Sequence, residues 1–276
     1  MSSPLAARLV PALALLLAGP LAAEAAEAPS RLAYTVSLSG LPLARADVAV
    51  SEPAGRYDLA VAWRTAGLAN VFAAAKGTVT ASGRLDARGP SASSFHLAGG
   101  SDAAPVDVRL GLAGGAVGAA AVAPPADVGG GRVELTPAHK RGVVDPLSAV
   151  LLPWTGAPER LCDRTVAVYD GWTRWDVRLT PKATRTDTPA GFDGPVVVCA
   201  ARWIPVAGHR PTHGPTRDLA ANTDIEVALA HPGGRSWWLP IEVSVGTKLG
   251  TARLAMTEAA FAPAPTPPKR PPRSRG

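Results

Sequence analysis

The chain has 276 residues, 47% of them hydrophobic and 18% charged, with a formal net charge of +6. Lys269, Arg270, Arg273 and Arg275 carry four of those charges, so the remainder holds only about +2, too little to steer a polyanion, and nucleic-acid binding is not expected. Only five of the 28 basic residues are lysine, and Asn70 and Asn222 are the only asparagines; that bias, with abundant Ala, Gly, Pro and Arg, suggests a GC-rich bacterial genome.

In chain order, the first element is an export signal. Arg8 precedes an apolar run from Leu9 to about Ala18, and Ala23-Glu24-Ala25 follows as a small-residue cleavage pattern. This is the layout of a secretory signal peptide over residues 1–25. The run is shorter than the roughly 20 residues that span a bilayer, so no transmembrane segment is expected in the mature chain. With no cysteine near the cleavage site, lipid attachment there is not expected either. The expected location is the periplasm of a Gram-negative bacterium.

Residues 29–262 read as a single β domain. Leu32, Tyr34, Val36 and Leu38 alternate along one strand. After a turn at Gly40-Leu41-Pro42, Ala44, Ala46, Val48 and Val50 repeat the period, and then Tyr57, Leu59, Val61 and Trp63. Strands with one apolar and one polar face, joined by short turns, indicate an antiparallel sheet with one buried side. Ala66 to Lys76 is alanine-rich and reads as helical. Residues 111–131, dominated by Gly, Ala and Pro, read as a loose crossing between halves. VVDPLSAVLLP then offers Asp145 as N-cap and Pro146 as first helical residue of a short buried helix reaching Leu152.

Asp170-Gly171 is a two-residue hairpin signal. Counting outward from it places Tyr169 opposite Trp172, Val166 opposite Trp175 and Cys162 opposite Leu179. Cys162 then shares an apolar face with Val166, Val168, Trp175 and Val177, and Cys199 shares one with Val197, Ala201 and Trp203. Two cysteines on apolar strand faces in an oxidising compartment read as a disulfide. Closing that loop stabilises the fold by roughly 3–4 kcal/mol. Further on, Ile225, Val227 and Leu229 alternate with Asp224 and Glu226. His231 to Arg235 turns the chain into Ile241, Val243 and Val245. Residues 263–276 alternate proline with base and read as a disordered tail. The expected fold is all-β: an antiparallel, strongly curved sheet or partly open β-barrel with one or two short helices.

Sequence signatures of catalysis are sparse. No G-x-S-x-G, G-x-G-x-x-G, C-x-x-C or H-E-x-x-H occurs, so no catalytic residue, cofactor or metal ligand is assigned. His209 and His213 are spaced for zinc only on a helix, and Pro211 makes their segment a loop. Six of the seven tryptophans lie in the second half. Packing in a core against the buried helix is the first explanation for them; the alternative is an apolar pocket, for which Trp175, Trp203 and Trp238 are the candidate lining, with Arg174 and Arg202 as head-group partners. Trp237 and Trp238 must face opposite sides of one strand, which leaves room for one of them to be exposed or to sit at a mouth.

DPLSAVLLP, then CDRTVAVYDGWTRWDVRL, VVCAARWIPVAGHRP and WWLPIEVSVGTKLGTARLAM, together with the opening RLAYTVSLSGLPLARADVAV, resemble the DUF3108 family of exported bacterial proteins. The resemblance implies an envelope β protein of uncharacterised function and supplies no reaction. The sequence therefore supports a non-catalytic periplasmic protein that binds an apolar or amphipathic, lipid-like molecule. The alternatives are a structural or interaction protein of the envelope with envelope-protein partners, and a hydrolase assembled around His209, Asp170 and Arg174.

Overall fold

The computed structural model describes residues 28–86, 89–127 and 130–264. The signal peptide expected over residues 1–25 lies outside them, as does the tail beyond residue 264. The alternating segments become β1 (Ser30–Leu38), β2 (Leu41–Ser51) and β3 (Arg56–Thr65), followed by a one-turn helix α1 (Ala69–Phe72). Then come β4 (Lys76–Asp86), β5 (Gly89–Ser101), β6 (Ala104–Ala113) and β7 (Ala116–Ala123). After a long crossing follow β8 (Leu152–Pro153), β9 (Arg164–Tyr169), β10 (Arg174–Arg185), β11 (Phe192–Ala207), α2 (Gly214–Ala221), β12 (Ile225–Pro232), β13 (Trp237–Thr247) and β14 (Gly250–Ala260).

Hydrogen bonding orders the strands β7-β6-β5-β4-β3-β2-β1-β14-β13-β12-β11-β10-β9, with β8 added on β13. Each half is a run of hairpins, and the first strand joins the last: Arg31 pairs with Ala260 and Leu38 with Ala252. The outermost strands, β7 and β9, do not pair with each other. Residues 141–144 reach both, with Arg141 bridged to Ala116 and Val144 to Val168. Val143 N–H donates to the Gly115 carbonyl, and Val144 N–H to that of Ala167. The sheet is open, and this segment spans the gap between its edges.

Two apolar clusters are buried. The larger joins Leu32, Val50, Tyr57, Leu59, Phe95 and Leu110 of the first half to Val196, Val198, Ala230, Trp237 and Leu239 of the second. The smaller holds Leu152, Leu161, Cys162, Leu179, Val197, Cys199, Leu229 and Trp238. Neighbouring residues of β11 thus enter different clusters. That strand is buried on both faces, unlike the one-sided strands of the first half. Cys162 and Cys199, both fully buried, have sulfurs at disulfide distance, 2.02 Å. The pair ties the connection that covers β11 to the strand beneath it.

Several sequence expectations are corrected. Residues 111–123 are not a loose crossing but the end of β6 and all of β7; small side chains obscure the alternation, and the crossing begins at Pro124. The first turn is Ser39-Gly40, both at positive φ (48° and 83°), the backbone of a two-residue hairpin whose twist matches its strands. The alanine-rich segment contributes only the single turn α1. The buried helix expected from Asp145 to Leu152 is one 3₁₀ turn, Ser148–Val150. Asp145 does act as a cap, accepting from the N–H groups of Leu147 and Ser148. Leu152 and Pro153 instead pair with Trp238 and Trp237 of β13, and that ladder competes successfully with helix.

The β9–β10 register also differs. Tyr169 lies opposite Arg174 and Val166 opposite Val177, a shift of two that preserves which residues share a face. The cause is Asp170, whose carboxylate accepts from the N–H groups of Trp172 and Thr173 and from the Thr173 hydroxyl. That network makes a four-residue loop where a two-residue turn was expected. Gly171, at φ +104°, has no room for a side chain: a Cβ there would sit 2.7 Å from Val108 Cγ1. The tip of this hairpin therefore rests against β6 and β7.

Candidate functional site

Most tryptophans of the second half pack as a core would have them, and Trp175, Trp203 and Trp238 do not line the grooves described below. Trp237 and Trp238 are both buried, at 0% and 5% exposure, because the connection over β8 covers the face on which one could have been exposed. Trp238 packs in the smaller cluster with its ring 5.3 Å from the His231 imidazole. Trp175 sits half-buried between Val168 and Pro205, and Trp203 half-buried opposite Val177. Arg174 pairs with Asp176 at 2.8 Å. Arg202 donates to the Ala220 carbonyl at 3.1 Å, satisfying the C-terminal end of α2. Each of these five residues has structural partners, and none lines the grooves described below.

The residues of the hydrolase alternative lie near one another, since Arg174 pairs with Ala207 and Gly208 packs against Trp172 and Thr173, but they do not form a hydrogen-bonded set. Asp170 is occupied by its own loop, and burial raises its carboxyl above the ordinary value of 3.8. Burial lowers the His209 imidazole, and His213 forms the start of α2. Among the described residues, no three His, Cys, Asp or Glu side chains stand close enough to hold a metal ion.

His209 Nδ1 is buried without a hydrogen-bond partner among the described residues, but two other buried polar groups are consumed internally. Tyr57 donates to Ser148 Oγ at 2.7 Å, and Ser148 Oγ donates to Asp145 Oδ2 at 2.5 Å. All three residues have 0% exposure. Burial pushes the Tyr57 phenol up to about 12 and raises the Asp145 carboxyl. With no path to solvent, the chain of hydroxyls ties the 3₁₀ turn to β3. Arg235 is a second such centre. It pairs with Glu52 at 2.6 Å, donates to the Ala262 carbonyl at 2.8 Å, and lies 5.1 Å from the Phe261 ring. Glu52 also accepts from Trp237 Nε1. This lock fastens the ends of β2 and β14 to β13.

The open surface offers a different kind of feature. On the sheet face opposite the larger core, side chains form rows that run across β4, β3, β2, β1 and β14. One row is Thr80, Ala60, Ala49, Arg31 and Ala260; the next is Thr78, Ala62, Asp47, Ala33 and Glu258. Half of these side chains are alanine methyls, and with Thr78 and Thr80 they floor a trough of about 630 Å³ that Arg31, Asp47 and Glu258 also line. It crosses five strands, hence about 19 Å at the usual inter-strand spacing. Its volume is in the range of small-molecule sites, roughly 300–1,000 Å³.

The row beyond it is long-chained and basic. Lys76 lies opposite Arg64, and Arg64 opposite Arg45, so three cations stand abreast on β4, β3 and β2. Like charges placed directly opposite one another destabilise a sheet. The relief available is Asp47, 3.6 Å from Arg64, with both side chains more than half exposed. Two smaller grooves lie elsewhere. One, about 380 Å³, runs beside β9 near Trp154 and Arg164; the other, about 410 Å³, lies on β5–β7 near Phe95 and Arg109. Neither has a comparable apolar floor with a cationic bank. The sequence reading missed the trough because alanines at alternate positions look like a weak strand; only cross-strand register gathers them.

These features describe an open, almost wholly β antiparallel protein whose first half carries an apolar trough with a basic bank. The chain belongs to the DUF3108 family of proteins of unknown function, which it matches over residues 33–257. No curated protein matches it. Among solved structures it is similar to the beta-barrel-like protein of domain of unknown function DUF1849 from Brucella abortus, at 10% identity. That similarity covers 84% of this chain and 97% of that one, with a TM-score of 0.45.

Proposed function

We propose that this protein is a binding protein of the bacterial envelope that holds an amphipathic, lipid-like molecule. Its apolar part lies in the trough across β4 to β14, and an anionic head group meets Lys76, Arg64 and Arg45. The observation that carries this reading is the methyl-lined trough bordered by three abreast cations. An apolar chain covers exposed alanine and threonine methyls at about 25 cal/mol per Å² of area removed from water, and an anion relieves the repulsion along the row. The export signal read over residues 1–25 favours a periplasmic setting, where such molecules abound.

Native mass spectrometry of protein recovered from its own cell envelope without detergent tests the reading. The expected result is a discrete additional mass that dissociates on activation and is lost when Ala60→Trp and Ala62→Trp fill the floor. A ligand-free mass at every charge state, or an additional mass that persists in the filled variant, refutes it. A structural role in the envelope is the second reading, favoured by the edge strand β7, whose outer side is bridged, among the described residues, only at Ala116 and leaves backbone for another strand to pair with.

A further inference from the structure

The end of the sheet beside the basic row is unusually apolar. Among the described residues, six large hydrophobic side chains are exposed, and five of them, Leu41, Leu68, Val71, Phe72 and Leu249, lie in three turns at this end. The turns are contiguous. Ser39 of the β1–β2 turn donates through its hydroxyl to the Leu249 carbonyl at 2.9 Å. The Ala66 N–H donates to the Leu43 carbonyl at 2.8 Å. Gly67 approaches β2 so closely that a Cβ would lie 2.7 Å from the Pro42 carbonyl oxygen. The helix α1 buries no residue at all, with Phe72 at 85% and Val71 at 76% exposure. Scattered exposed apolar residues are ordinary, but a contiguous patch of them marks a contact surface.

We infer that this rim docks the protein on an anionic lipid surface, with Leu68, Val71, Phe72, Leu41 and Leu249 entering the head-group boundary and Lys76 and Arg45 meeting phosphates. Charge complementarity selects this occupant. The basic row begins at Lys76, directly after the α1 loop, and reaches Arg45, about 14 Å along β2 from Leu41, a span that long basic side chains shorten. Two cations at this end already have carboxylate partners, Lys248 with both oxygens of Asp218 at 2.9 Å and Arg64 with Asp47 at 3.6 Å, which leaves, among the described residues, Lys76 and Arg45 as the free pair. Narrow apolar tips backed by cations suit an interfacial layer, into which such residues sink roughly 5–10 Å. The inference shares its cations with the head-group contact proposed for the trough's occupant but rests on the apolar rim, and a trough opening beside a docked rim is well placed to exchange a lipid-like molecule with the bilayer.

Flotation of the processed protein with vesicles of phosphatidylcholine, with or without one-third phosphatidylglycerol, tests it. The expected result is co-flotation with the anionic vesicles, weakened by salt. Leu68→Ser with Val71→Ser and Phe72→Ser lowers partitioning roughly a hundredfold. Lys76→Gln with Arg45→Gln lowers the preference for anionic vesicles roughly thirtyfold. All five positions are exposed, and an unchanged thermal midpoint verifies that the variants fold. Failure of the parent to float with either vesicle overturns the inference, as does flotation of the serine variant equal to the parent. A dimer that the serine variant dissociates, without vesicle binding, overturns it in favour of a contact between copies. The mass-spectrometric test fills the trough floor at Ala60 and Ala62, whereas the serine variant strips the rim and leaves floor and cations intact, so either idea can fail alone.

Discussion

The buried chain Tyr57–Ser148–Asp145 gives a sharp energetic prediction. Tyr57→Phe removes one neutral hydrogen bond of 2.7 Å and leaves Ser148 still donating to Asp145, so it costs about 1 kcal/mol. Ser148→Ala does more: it leaves the Tyr57 hydroxyl buried without an acceptor and takes a donor from a fully buried carboxyl. With about 1–3 kcal/mol for the orphaned hydroxyl and about 1.5–3 for the lost bond to a carboxyl, the cost is about 3–5 kcal/mol. In the double variant the orphan is gone, so its cost is about 2–3 kcal/mol, less than that of Ser148→Ala alone. Urea denaturation of the four proteins, with unchanged slopes as the control for two-state behaviour, measures the cycle. A double variant costing the sum of the singles, or Tyr57→Phe costing as much as Ser148→Ala, refutes the relay as described.

Three further outcomes are expected. Cys162→Ser with Cys199→Ser opens a loop of 37 positions and lowers stability by about 4 kcal/mol on the chain-entropy account; a loss below about 1 kcal/mol in guanidinium denaturation contradicts it. Glu52→Gln leaves the Arg235 guanidinium, with 3% side-chain exposure, without its counter-charge, and costs about 3–5 kcal/mol. Because that pair is buried, the loss measured by thermal denaturation changes little with salt, and a strong salt dependence contradicts the assignment. Asp145 has a folded pKa raised above 3.8, chiefly by burial. Its protonation therefore supports the fold fully below 3.8, and that support is lost as pH rises through the folded value. The stability gap between the wild type and Asp145→Asn should shift toward the variant as pH rises from about 4, and a gap that widens the other way removes the argument.

The fold was legible where side-chain alternation is strong. Tyr57, Leu59, Val61 and Trp63 on β3 declare both the strand and its buried face. The alternation fades at β7, where AVGAAAVA has two valines among small residues, and there only the ladder with β6 defines a strand. Helix α2 was missed because GPTRDLAA has no strong apolar stripe; Pro215 near its start was the available signal. The cysteine pair was legible because each residue lies among apolar neighbours at period two. The pocket was misplaced for a definable reason. Tryptophans drew attention to the second half, but a large side chain fills space, and its burial depended on β8 folding over β13, a contact between residues some 85 positions apart. The trough is floored largely by alanines, which advertise nothing along the chain and become a surface only when β1 to β4 and β14 align.

That alignment has a consequence for how the chain is made. The Thr257 hydroxyl reaches the Ala33 carbonyl, 224 positions earlier, within the pairing of β1 with β14. At synthesis rates of about 5–20 residues per second, β1 waits roughly 10–45 seconds for the strand that completes it. The first meander can form meanwhile, since its hairpins are local, but its leading edge stays bare until the end of the chain arrives. A truncation within β14 should therefore strand a nearly complete molecule with two unpaired seams. Such a nascent chain is a natural client for a chaperone that shields strand edges, and its vulnerable interval scales with elongation rate, not with the stability of the finished fold.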